Sequence, residues 1–182
     1  KYLGLVSNKK HRHYYVYYGH SLFRTIFNEI SFILKRRYRS SFIDRNLMKK
    51  IKLDMPFVYF PLQLEPERTI LVPAPFYSDQ IEVIIHIAKS LPVGYKLVVK
   101  EHPMQEIRGW RPISHYNEIK NMPNVEFYHP SVPSKTLIEK CSLVATITGT
   151  SGLEAAINGK PSVVFADTIY SELPSVFRIR NI

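Results

Sequence analysis

The sequence has a single cysteine, Cys141, so no disulfide can form within the chain. That excludes a disulfide-stapled secreted scaffold and fits a reducing compartment. Cys141 precedes an apolar run and reads as a small core residue. Glycine is scarce, at seven residues, so where glycines gather they carry information. No stretch approaches the roughly 20 consecutive apolar residues of a membrane-spanning helix, and no signal peptide is visible. The Gly-x-Ser-x-Gly elbow, the Walker phosphate loop, the calcium-binding loop and zinc-ligand spacing are all missing. Internal repeats and low-complexity tracts are missing too.

Acidic residues are also short in one place. Residues 1–60 hold thirteen Lys/Arg against three Asp/Glu, a balance of +10, whereas residues 61–182 hold twelve of each. The basic character therefore belongs to the N-terminal third. It suits an anionic partner there: a membrane surface, an acidic glycan or nucleic acid. The plain alternative is a solvated helix and linker. Among the 182 residues, 45% are hydrophobic, enough for one ordinary domain with a core and an appendage. The chain begins at Lys1 rather than at methionine and stops just after a strand-like run, and so reads as a piece of a larger protein.

The periodicity divides the chain in two. Residues 1–20 show no clear period. Residues 21–38 read as a helix, with Leu22, Phe23, Ile26, Phe27, Ile30, Ile33 and Leu34 at helical spacing and Lys35-Arg36-Arg37 at the C-terminal end. Residues 39–54 read as a basic linker, which sets the boundary between a 1–54 appendage and a 55–182 domain. From Phe57 onward short apolar runs alternate with helical patterns. Strands are expected at 57–60, 95–100, 125–128, 143–147, 161–165 and 175–179. Helices are expected near 79–91, 113–121, 134–140 and 150–158, with Ser78 or Asp79 as cap of the first. Continuous apolar strands alternating with helices predict an α/β fold: a Rossmann-like parallel sheet with helices on both faces.

Ligands of such sheets bind beyond the C-terminal strand ends. Three segments there carry chemistry. Thr148-Gly149-Thr150-Ser151-Gly152-Leu153-Glu154 leads from a strand into a helix. Its glycines let backbone N–H groups approach a ligand, its hydroxyls add donors, and the helix dipole favours an anion. Glu154, one turn in, suits ribose hydroxyls. The plain reading is a strand-to-helix turn with a capping threonine. Lys100-Glu101-His102-Pro103 ends another strand, so that Lys100 can neutralise charge and His102 can donate to a phosphate. Gln63-Leu64-Glu65-Pro66-Glu67 follows the first strand, and Glu65 and Glu67 are candidate general bases, or else part of an exposed acidic loop. His11 and His13 alternate without a ligand cluster nearby, and His86, His115 and His129 carry no local signature.

Taken together, these segments resemble the capsule polysaccharide biosynthesis family that includes the bacterial Kdo transferases. The resemblance rests on Phe60-Pro61-Leu62-Gln63 with Glu65-Pro66-Glu67, on Tyr77-Ser78-Asp79-Gln80, on Lys100-Glu101-His102-Pro103, and on Thr148 to Ala155 with Gly159-Lys160-Pro161. It implies the C-terminal, donor-binding half of a GT-B glycosyltransferase. It implies a nucleotide-sugar donor, CMP-Kdo, with no further cofactor and no metal, passed to a lipid-linked or polysaccharide acceptor. Lys100, His102, Thr148, Gly149, Thr150, Ser151, Gly152 and Glu154 would then bind the donor, and Glu65 and Glu67 would face the cleft. A cytoplasmic protein, held peripherally at the inner face of an anionic membrane, is the expected setting. A sugar-nucleotide epimerase or polyol-phosphate transferase shares the outline. A non-catalytic nucleotide- or nucleic-acid-binding module is the alternative of another class, and nucleic acid is disfavoured because the domain itself is neutral.

Overall fold

A computed structural model describes residues 22–52, 54–66 and 72–179. A long helix, α1 (Leu22–Asn46), leads into six strands: β1 (Phe57–Pro61), β2 (Lys96–Lys100), β3 (Val125–Tyr128), β4 (Leu143–Thr146), β5 (Ser162–Val164) and β6 (Val176–Arg178). Between them lie α2 (Gln80–Ser90), α3 (Ile113–Lys120), α4 (Ser134–Lys140) and α5 (Ser151–Ile157), with 3-10 turns at Pro75–Tyr77 and Pro103–Glu106. All neighbouring strands pair in parallel, in the order β3-β2-β1-β4-β5-β6.

The apolar strands are continuous because both faces of the sheet are covered. Val58, Phe60, Leu97, Val99 and Ala145 point into one core, which α2 and α3 cover through Ile81, Ile84, Tyr116 and Ile119. Phe57, Tyr59, Val98 and Val144 point into the other, against Leu137 and Ile138 of α4 and Ala155 of α5. Asp79 starts α2 by accepting hydrogen bonds from the amides of Ile81 and Glu82 at 2.9 and 3.4 Å. Ser78 instead bonds the carbonyl of Pro75.

Two expectations need correction. Helix α1 runs to Asn46 rather than 38, so the first half of the expected linker is helical. The reason is tertiary: Ile43 is buried in the first core, as is Leu47 just past the helix end, and Arg39 donates to the carbonyls of Gly109 and Trp110 at 3.1 and 2.9 Å. Ser134 is not a cap, since α4 starts after Pro133 with no side-chain cap. Its hydroxyl is used elsewhere. Among the described residues no helix is long and apolar enough to cross a membrane. The stretch 1–20, with His11 and His13, lies outside the described residues.

Candidate functional site

Strand order reverses between β1 and β4, so the chain leaves β1 toward one side and β4 toward the other. At their C-terminal ends the loops diverge and leave a crevice. A cleft of about 380 Å³ occupies it. The loop after β1 contributes Gln63, the end of β2 contributes Lys100 and His102, the start of α4 contributes Ser134, and the turn after β4 contributes Thr148 to Ser151 and Glu154. The structure thus brings the segments around residues 63, 100 and 150 to one opening.

Lys100 is the last residue of β2 and is only 6% exposed. Its ammonium donates to Ser134 Oγ at 2.9 Å. Burial depresses its pKa, with Glu154 and Glu101 pulling the other way. Tyr59, fully buried in β1, reaches the same Ser134 Oγ with its hydroxyl at 3.3 Å, and burial pushes its pKa up. With both lone pairs of Ser134 accepting, its own O–H proton is left for a third group. Tyr59 and Ser134 were missed in the sequence. The one available signal was a tyrosine inside a strand whose neighbours are wholly apolar.

His102 opens the Pro103–Glu106 turn, its Nδ1 accepting from the amide of Met104 at 3.2 Å. In the neutral ring this places the proton on Nε2, the other ring edge. The residue is half-buried and lines the cleft.

The glycines of the β4–α5 turn serve a different purpose from the one expected. Oriented with its amide oxygen toward the backbone donors, Gln63 accepts from the N–H groups of Thr148 (2.8 Å) and Gly149 (2.5 Å). Those two amides are therefore satisfied by the protein rather than held open. A Cβ on Gly149 would stand 2.7 Å from Thr146 Oγ1, and one on Gly152 would stand 2.9 Å from the Tyr170 ring. Tyr170 also donates its hydroxyl to the carbonyl of Gly149. Gly152 is buried beneath Tyr170 and does not line the cleft, which corrects its expected role as a ligand contact. Glu154 is exposed on the cleft side, where Thr150 Oγ1 donates to it at 3.4 Å.

The candidate bases also need correction. Glu65 does not line the cleft. Its carboxylate pairs with Arg111 Nη1 at 2.5 Å and accepts from Gln80 Nε2. Both of its carboxylate oxygens are therefore taken up by protein donors, one by Arg111 and the other by Gln80. Glu67 lies outside the described residues.

The model of the family described as "Capsule polysaccharide biosynthesis protein" matches residues 6–173. The chain belongs to this family. A curated relative, Protein FixF of Sinorhizobium fredii, is 28% identical over 127 residues, 67% of this chain and 29% of that protein. Among solved structures, the Thermosulfurimonas dismutans KpsC beta Kdo 2,7 transferase superposes with a TM-score of 0.55 at 20% identity, covering 83% of this chain and 44% of its own. The UDP-GlcNAc 2-epimerase of Methanocaldococcus jannaschii gives 0.50 at 14% identity, covering 77% and 38%. The family member described here therefore spans less than half the length of these proteins. At such identities the likeness establishes the Rossmann-like fold.

Proposed function

We propose that this chain is the donor-binding part of a glycosyltransferase of capsule or other surface polysaccharide synthesis. The observation that carries the reading is the convergence of Lys100, Ser134, His102 and the first turn of α5 on one cleft at the sheet's switch point. These are donors in a partly desolvated site, the arrangement an activated sugar's phosphate calls for. In this reading Lys100 neutralises charge, His102 Nε2–H donates to a phosphate oxygen, the amides of Thr150 and Ser151 face the anion, and Glu154 accepts from ribose. The donor is a nucleotide sugar, CMP-Kdo, whose carboxylate adds a second anionic group for Lys100 and Ser134. Family membership and the fold shared with KpsC support that choice. Stabilisation of the departing nucleotide by these fixed donors makes the transfer metal-independent. Glu65 has no part in proton transfer, because Arg111 holds it.

The acceptor is lipid-linked or a growing glycan, and the protein works at the inner face of a membrane. Helix α1 supports this with exposed Phe23, Phe27, Ile30, Ile33 and Leu34 and a basic sequence.

Calorimetry with CMP and with UDP tests the core of the reading. Binding at micromolar to low millimolar concentration is expected, with CMP preferred. His102→Ala should weaken it about 10- to 100-fold, the worth of a charge-assisted hydrogen bond. Absence of binding by either nucleotide at millimolar concentration overturns the reading. The epimerase fold likeness makes conversion of UDP-GlcNAc the second activity to assay.

A further inference from the structure

Arg111 follows the loop after β2 and is 3% exposed at its side chain, outside the cleft. A buried guanidinium is costly unless every N–H is matched, and here the fork is used in three directions. Nε donates to Glu101 at 3.1 Å, Nη1 pairs with Glu65, and Nη2 donates to the carbonyl of Gln63. Burial by itself would lower the arginine's pKa, but Glu101 and Glu65 outweigh it and raise it.

Each partner leads to a different wall of the cleft. Glu101, with no exposed surface, accepts from the backbone amide of His102 at 2.6 Å and from Tyr116 Oη at 2.8 Å. It thereby fixes the backbone from which the His102 ring hangs. Gln63, whose carbonyl Arg111 holds, binds the amides of Thr148 and Gly149 with its side chain. One guanidinium therefore ties the β2 wall to the β1 and β4 walls, across 48 residues of sequence to Gln63.

We propose that Arg111 is the positioning residue of this site: its three-way fork holds His102 and the Thr148–Gly149 turn at a fixed separation. Charge alone does not suffice. A lysine is a point charge on a flexible stem, and it cannot satisfy Glu101, Glu65 and the Gln63 carbonyl in their separate directions. The function of the cleft rests on the reading above, whereas the fork's role rests on contacts that need no ligand.

The test is therefore made without ligand first. Amide hydrogen exchange is measured by NMR on the full chain for Arg111→Lys and for Ile119→Ala, a variant that loses core packing on α3 without touching the fork. Arg111→Lys should speed exchange about tenfold or more at His102, Thr148 and Gly149 together, while Val98 and Val144 in the strands keep their protection. Ile119→Ala should not single out those three amides. Unchanged exchange at Thr148 and Gly149 in Arg111→Lys overturns the proposal, and so does the same selective pattern in Ile119→Ala. If Arg111→Lys does not fold, Tyr116→Phe removes one hydroxyl from Glu101. It should speed His102 exchange several-fold, and no change there overturns the proposal equally. CMP affinity is then read on the same variants, where Arg111→Lys should lose about tenfold. Wild-type protein that binds neither CMP nor UDP sinks the nucleotide reading and leaves the exchange result standing. Wild-type binding that Arg111→Lys leaves intact sinks the positioning role.

Discussion

At the scale of single residues the site is defined by what burial does to charge. Lys100 is held charged in a desolvated place, so its folded pKa lies below 10.5. The ammonium form binds the anion, so CMP affinity should be full while the side chain is charged. It should fall as pH rises through that lowered pKa, earlier than for an ordinary lysine. Calorimetric titration across pH 7 to 10.5 checks this, and Lys100→Arg should move the decline to higher pH. The same depressed pKa makes the charge a cost to folding, relieved as pH rises between the folded and the unfolded values. Lys100→Met should therefore weaken CMP binding about tenfold without lowering Tm. Cys141 is the opposite case. It is 1% exposed, donates to the carbonyl of Ile138, and burial pushes its thiol up to about 11. It should stay silent to a thiol reagent at pH 8 until the protein unfolds, which a colorimetric thiol assay in rising denaturant reads directly. Gly152→Ala places a methyl 2.9 Å from the Tyr170 ring. A loss of about 1–3 kcal/mol is expected on denaturant unfolding, together with displacement of the turn below Glu154.

At the scale of elements, most strands and helices followed from local pattern. Strand β3 occupies the expected residues and α4 the expected helix, because each is a short apolar or amphipathic run bounded by proline. Asp79 was legible as a cap because an extended aspartate before an apolar helical period has one favourable use for its carboxylate. Asp79→Ala should cost about 1 kcal/mol, measured as a lowered denaturant midpoint with unchanged slope. The last eight residues of α1, 39–46, were not legible. Arg39, Ser40 and Ser41 read locally as a linker, and the helix persists because Ile43 is buried in the first core and Arg39 finds its partners 70 and 71 residues away. Its N-terminal half keeps a stripe of apolar side chains in solvent.

At the scale of the whole molecule the sheet order decides the site. Only the reversal between β1 and β4 places Gln63 beside Thr148, an encounter of 85 residues. A nucleotide that binds this crevice and not the unfolded chain should raise Tm by mass action. At a hundredfold excess over Kd the gain is about 2.7 kcal/mol, or roughly 5–10 °C for a domain of this size, read by differential scanning. The sequence by itself determined the fold class, since period and punctuation are properties of neighbours along the chain. It also placed Lys100, His102 and Glu154 at strand ends and a helix start, where a parallel sheet presents ligands. Only the tertiary structure decided that Glu65 is spent on Arg111, that Gly149 and Gly152 make room for protein rather than ligand, and that Tyr59 and Ser134 stand behind Lys100. Those assignments depend on which distant groups share a desolvated space, and no local pattern encodes who the partner is.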